Sequence, residues 1–279
     1  MSRLGPLVAP GRTADVYEDA ERPDRVVKVY HDDWHDAEID REVRDAVLAR
    51  ELGVTPIGCA GRIDADGRRG VVFDRVHGIP LTAVAERDLR RIPEVGRTLA
   101  RVQARMHAVH TDRLPDVREV AVSLLDERPF DPLEPDERAR LVDALRALPA
   151  GDSVLHLDCH PLNVFEHDGD HAIIDWQSAS RGDRAADVAM TRVLFTEAEL
   201  FPGISPVQRV LYQTVRRIML RAYLRGYRAI DPIDDAEVDR WMTAARVIRL
   251  GLLDVPSERE AALRRIRAAV AAPTGADAP

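Results

Sequence analysis

Asp158 and Asn163 stand five residues apart in His156-Leu157-Asp158-Cys159-His160-Pro161-Leu162-Asn163, and Asp175 follows twelve residues later, after the apolar run Ala172-Ile173-Ile174. Phosphoryl transfer needs these groups. A carboxylate must accept or orient the acceptor hydroxyl, and oxygen ligands must hold Mg²⁺ against nucleotide phosphates. It also needs a compact cation against the phosphate charge. Of the 40 basic side chains only Lys28 is a lysine, and Asn163 is the only asparagine in the chain. Arginine does not replace lysine where a point charge must fit against a phosphate. The lone asparagine thus lies within the string itself, and the lone lysine is the one compact side-chain cation the chain has to offer.

Other chemistries fit the same stretch less well. Cys159 has no general base argued for it, as a thiol nucleophile would require. A zinc site from His156, Asp158 and His160 would need a fixed tetrahedral set, and Asp175 downstream suits Mg²⁺ better.

The elements that must carry these residues change character along the chain. Residues 6–17 are turn-rich, Arg25–Tyr30 is a β-rich run carrying Lys28, and residues 36–52 place Ile39, Val43, Val47 and Leu52 at helical spacing before Gly53. Strands are expected from Gly58 to the Asp66-Gly67 turn and over Gly70–Val76. Beyond residue 78 helices dominate: 94–110, 136–148, 184–199, one opening at Ser205-Pro206, one near Asp234 and one at Ser257. Residues 151–176 interrupt them as loop, strand, turn and strand.

Composition sets outer limits. The chain has 279 residues, 45% apolar and 32% charged, an ordinary globular balance. A net charge of −8 with no basic block speaks against nucleic acid as partner. No apolar run approaches the ~18 residues of a membrane span. Two cysteines without metal-ligand spacing, and a start lacking a long apolar core, give the expectation of a cytoplasmic protein. Nothing in the sequence sets an oligomeric state.

The string HLDCHPLNVF…AIIDWQSASRGDRAADVA resembles the aminoglycoside phosphotransferase and choline kinase family, which has the protein-kinase-like fold. That family's pattern is approximately HGDxHxxN, then IDW, then GDxxxDLA. The resemblance implies an α+β, two-lobed protein-kinase-like fold, a small antiparallel sheet with one helix followed by a larger helical lobe. Residues 1–78 would form the nucleotide-binding lobe, with a hinge near 74–79. Residues 80–271 would form the helical lobe with the catalytic loop 156–163, and 272–279 a flexible tail.

It also implies roles. Asp158 becomes the catalytic base, Asn163 and Asp175 the Mg²⁺ ligands, Asp187 a buried brace for the loop, with His156 orienting its backbone. Lys28 takes the phosphate-binding position, paired with Glu42; Glu38 is a rival one turn earlier. Gly11 and Thr13 fall in the phosphate-covering hairpin, and the backbone near Asp74 and Val76 would contact adenine. The co-substrate would be ATP or GTP, and the acceptor a small-molecule hydroxyl such as an aminoglycoside or amino sugar. Glu197 and Glu199, with the acids of 231–239, could form an acidic rim for a cationic acceptor. Leu157 stands where the family has glycine, and Cys159 where it has leucine or an aromatic. A protein kinase would carry Phe-Gly after the metal aspartate; here Trp176-Gln177 follows Asp175. A non-catalytic nucleotide binder is the remaining alternative.

Overall fold

The front of the chain is a five-stranded antiparallel sheet, ordered β1-β2-β3-β5-β4. Its strands are β1 (Leu4–Ala9), β2 (Ala14–Asp19), β3 (Arg25–Tyr30), β4 (Cys59–Ala65) and β5 (Arg68–Asp74), with α1 (Asp36–Glu51) between β3 and β4. The computed structural model describes residues 3–32, 34–199 and 204–271; the tail 272–279, expected to be flexible, lies outside them.

Period-two alternation assigns the faces of β3. Val27 and Val29 pack with Ala65 and Val72 on one side. Tyr30 packs with Ala14, Ile39 and Val71 on the other, where α1 lies. Lys28 alternates with the two valines and so shares the α1 face. On α1 the buried residues Ile39, Glu42, Ala46 and Ala49 recur at helical spacing, which turns Glu42 toward the sheet. Gly53, at φ +72°, ends that segment in the left-handed region that glycine enters freely. Asp66 and Gly67 also have positive φ, as the β4–β5 hairpin turn requires.

Next come β6 (Gly78–Pro80), α2 (Leu81–Arg87), α3 (Ile92–His107), α4 (Val117–Ser123), α5 (Pro135–Arg146) and β7 (Ser153–Leu155). The hairpin β8 (Val164–His167) and β9 (Asp170–Ile173) follows, then β10 (Ser180–Gly182) and α6 (Arg184–Thr196). The chain closes with α7 (Pro206–Ile230), α8 (Asp235–Leu253) and α9 (Pro256–Ala271). Ser205 caps α7 by accepting from the Gln208 amide, and Asp234 caps α8 from the Glu237 amide. Among the described residues no helix is long and apolar enough to cross a membrane.

Two compact units result, Met1–Ala83 with Pro161–Ser178, and Val84–His160 with Ala179–Pro279. The first unit runs four residues past the boundary expected near residue 79 and also takes in 161–178. Gly78–Pro80, read as the end of a strand, is itself an edge strand on β8, in a sheet ordered β6-β8-β9. Its partner comes from far along the chain, which local patterning does not reveal. The ladder is tight: a Cβ on Gly78 would sit 1.6 Å from the Glu166 carbonyl oxygen. β1 was also hidden, because most of its side chains are exposed and show no apolar alternation.

Within the second unit α3 packs on α7, with Gly96 allowing close approach: a Cβ there would lie 2.4 Å from the Met219 carbonyl oxygen. The stripe Val95, Leu99, Val102 and Met106 is buried as expected. β7 and β10 form a short antiparallel ladder that holds the residues before Asp158.

One α1 residue sits at odds with its surroundings. Asp45 is 1% exposed, and its Oδ2 has no hydrogen-bond partner among the described residues. Burial pushes this carboxyl up to about 6, against the pull of Arg44. A raised carboxyl pKa means that the folded state holds the proton more tightly, so stability falls as pH rises from about 4 through 6. Asp45→Asn should therefore unfold at higher urea than the parent at pH 8, by about 1–3 kcal/mol. At pH 4 the two should nearly coincide. An equal difference at both pH values would remove the titration as the cause.

Candidate active site

In the first unit three charged side chains meet. Lys28 Nζ donates to Glu42 Oε1 at 2.7 Å and to Asp175 Oδ1 at 2.9 Å, with the lysine side chain 12% exposed. The Tyr30 hydroxyl donates to Glu42 Oε2 at 2.6 Å. Burial pulls the Lys28 ammonium down, but Asp175 and Glu42 outweigh it and hold the group above its ordinary value. Glu42 is pushed up by burial, with Lys28 opposing. The rivalry between Glu42 and Glu38 is resolved by geometry, because Glu38 accepts from the His35 amide at 2.9 Å and closes the first turn of α1.

The β8–β9 hairpin sets Asn163 beside the segment carrying Asp175. Val164 pairs with Ile173, and the Ile174 amide donates to the Asn163 carbonyl at 3.0 Å. The hairpin end is pinned from two sides, since Thr55 Oγ1 and Trp176 Nε1 both donate to the Ile173 carbonyl, at 2.7 and 3.1 Å. Asp175 itself has φ +68°. Among the described residues no cluster of three or more His, Cys, Asp or Glu side chains forms a metal cage. The backbone pairing instead brings one amide-bearing and one carboxylate-bearing residue, Asn163 and Asp175, to one hairpin end. Mg²⁺ accepts such a pair when phosphates and water fill the remaining positions.

The nucleotide-facing candidates differ in what the fold does with them. The Gly11 amide donates to Asp15 Oδ1 at 3.3 Å, and a Cβ on Gly11 would lie 2.3 Å from the Ala14 carbonyl oxygen. The Thr13 carbonyl accepts from the His31 amide. The Asp74 amide donates to the Gly58 carbonyl, and its carboxylate accepts from Arg50 and Gly58. Asp74 is therefore a structural tie whose amide is already used. Val76 makes no backbone hydrogen bond among the described residues.

In the second unit the loop bearing Asp158 is held from beneath. Asp187, fully buried, accepts from the His156 amide at 2.8 Å and the Leu157 amide at 3.0 Å. His107 Nε2 donates to the same carboxylate at 3.2 Å, and its Nδ1 is hydrogen-bonded to the Tyr227 hydroxyl at 2.6 Å. Burial would raise the Asp187 carboxyl; the hydrogen bond from His107, the nearby rings and the backbone amide outweigh it and hold the group below its ordinary range. The Asp158 amide donates to His156 Nδ1 at 3.2 Å, so His156 does brace the loop backbone. His160 Nε2 lies 3.5 Å from Asp158 Oδ2. Cys159 is buried, and burial pushes its thiol well up, which disqualifies it as a nucleophile.

Apart from Glu199, the acids named here from the expected acceptor rim are already engaged. Glu197 pairs with Arg246 at 2.8 Å and Arg265 at 3.4 Å. Asp231 pairs with Arg184 and Asp239 with Arg192, both at 2.6 Å, while Asp234 and Glu237 close the capping box of α8. The Glu199 amide donates to Glu258 Oε1 at 2.7 Å, and its own side chain is exposed.

Sequence reading missed Tyr30, His107 and Tyr227. The available signal was Gln103 and His107, two polar residues one turn apart inside the apolar stripe of α3.

Leu157 occupies its glycine-like position at φ +60°. The strain costs about 1–2 kcal/mol. Its side chain, however, is 3% exposed, and emptying a buried leucine site costs about 2–5 kcal/mol. Packing wins. Leu157→Gly should lower stability by up to about 4 kcal/mol in denaturant titration, and a more stable variant would show that strain dominates.

A model of the phosphotransferase enzyme family matches residues 7–233. No curated protein matches the chain. Among solved structures the chain is similar to a thermostable mutant of aminoglycoside phosphotransferase APH(4)-Ia, with 15% identity, 97% of this chain and 94% of that one covered, and a TM-score of 0.64. It is similar to the amicoumacin kinase hAmiN, with 16% identity, 98% and 89% coverage and a TM-score of 0.60. Aminoglycoside-3'-phosphotransferase of type VIII gives 21% identity, 87% and 91% coverage and a TM-score of 0.54. At such identities the likeness is one of fold, and it is the α+β, protein-kinase-like fold expected from the sequence. With its match running through both the Lys28 strand and the Asp158 loop, this chain belongs to the phosphotransferase enzyme family.

Proposed function

We propose that the protein moves the γ-phosphate of ATP or GTP to a hydroxyl of a small molecule. The observation that carries this reading is the ion cluster of Lys28 with Glu42 and Asp175, the one lysine of the chain held at the end of the hairpin that also presents Asn163. Similar structures support it in their own terms: APH(4)-Ia was obtained with ADP and hygromycin B, and hAmiN with AMP-PNP, Ca²⁺ and Ami.

Each residue then has a task. Lys28 neutralises phosphate charge, and Glu42 fixes the position of its ammonium. Asn163 and Asp175 supply the protein oxygens for Mg²⁺, which when bound offsets charge on the β- and γ-phosphates. Asp158 orients the acceptor hydroxyl and takes its proton as the new O–P bond forms. The bond from the γ-phosphorus to the β,γ-bridging oxygen breaks, and the nucleoside diphosphate leaves with that oxygen. Asp187 holds the loop backbone so that Asp158 needs no rearrangement. Aminoglycosides, amino sugars and other antibiotic-like alcohols form the acceptor panel on which to test the reaction.

Asp158→Asn should reduce transfer by about 10²–10⁴ or more, the worth of a general base, while nucleotide affinity measured by calorimetry changes little. Near-normal turnover would end this assignment. Nucleotide binding without transfer to any hydroxyl compound, even in the parent protein, would favour the non-catalytic alternative.

The lone lysine gives a separate test. Lys28→Arg keeps the charge but replaces a compact head group, so turnover should fall by more than about tenfold, as expected where the two cations are not equivalent. A surface role would leave the variant fully active.

A further inference from the structure

Arginine and glutamate do not balance at the far end of α6. A cavity of about 760 Å³ opens there, lined by the end of α6 and by faces of α7, α8 and α9. Its three acids are Glu197, Glu199 and Glu258, and six arginines line it with them.

The pairing within the cavity is uneven. Glu197 is taken by Arg246 and Arg265, and Glu258 by Arg249 at 2.7 Å. Arg216 donates to the Ala198 and Glu199 carbonyls in the loop past α6, at 2.6 and 3.1 Å, and so meets peptide oxygens rather than a carboxylate. Burial, and then Arg249, push its guanidinium below the ordinary value. Arg209 and Arg217 have no ion-pair partner among the described residues. On α7 the lining residues Arg209, Gln213, Arg216 and Arg217 recur at helical spacing, so one face of the helix points these donors into the same concavity.

A concave, partly desolvated site with excess guanidinium is matched to a carboxylate, phosphate or sulfate group, which accepts the planar fork bidentately. We propose that this cavity is a binding site for an anionic small molecule, with Arg209, Arg216 and Arg217 as the recognising cations. The sign is opposite to that of a cationic acceptor site. α6 links it to the catalytic loop: Asp187 lies in its first turn and Val193, six residues on, is the first lining residue, so at 1.5 Å per residue the cavity begins about 9 Å along the helix from the brace.

The test is binding, which needs no turnover and therefore stands apart from the phosphotransferase reading. Calorimetry on the full chain would use glucose 6-phosphate and citrate as phosphate and carboxylate probes, glucose as the neutral control and spermidine as the cation. One anionic probe should bind once per chain, weaken as salt is raised, and lose about tenfold or more in affinity in Arg209→Gln/Arg217→Gln, where charge-assisted bonds are removed. Both arginines are exposed, so the double variant should keep the parent's unfolding temperature. Lys28→Gln separates this site from the phosphate cluster of the first unit and should leave the affinity unchanged. The inference is overturned if neither anion binds, if the double variant binds as tightly as the parent, if binding is lost only with Lys28→Gln, or if glucose or spermidine binds in their place.

Discussion

A carboxylate with no exposure to water governs the second unit. Asp187 stays ionised only because the donors around it replace the hydration it has lost, and leaving such a charge unpaired would cost several kcal/mol. This necessity arranges three helices. α3 offers Gln103 and His107, α6 offers Asp187 and Thr191, and α7 offers Tyr223 and Tyr227, each pair one turn apart. His107 joins Tyr227 and Asp187 in one rung. Gln103 joins Tyr223 and Thr191 in the other, and Thr191 reaches the Cys159 carbonyl at 3.4 Å. Both rungs end on the loop that carries Asp158. A fully satisfied buried network of this kind rigidifies what it touches, so the orientation of the Asp158 backbone is a property of helix packing.

The first unit solves a related problem with opposite charge. One ammonium faces two carboxylates, so Lys28 cannot fully neutralise both Glu42 and Asp175. Glu42 is the more deeply buried of the two and has the Tyr30 hydroxyl as a second donor. Asp175 is 27% exposed and leans on Lys28 from the other side. The asymmetry separates a deeply buried anchor from a carboxylate that is partly open to solvent.

What could be read from the sequence was the part whose signal is local. β3 and α1 follow from the apolar alternation around Lys28 and the helical spacing after Asp36, and the helix starts at Ser205 and Asp234 follow from capping chemistry. Lys28 and Asn163 were legible because each is the sole residue of its type. β6 was not, since three residues against β8 carry no periodicity. His107 lay within a helix read for its apolar face alone, and Tyr227 lies 120 residues from it. Asp74 was assigned to the hinge by resemblance, but the carboxylate and amide are spent on Arg50 and Gly58. Glu197 stood out as an acid in an acidic chain, and only packing reveals the arginines around it.

The divided first unit bears on how the chain is made. Residues 161–178 belong with 1–83, so β6 emerges from synthesis without its ladder partner and Lys28 without Asp175. The 77 intervening residues take about 4–15 s to elongate at 5–20 residues per second. During that interval Gly78–Pro80 is a strand segment with no partner at all, the kind of exposed backbone that invites a chaperone or a wrong strand. Closure of the Lys28 ion cluster is therefore a late event, tied to the arrival of the β8–β9 hairpin, and any slowing of translation over residues 84–160 would prolong the open intermediate.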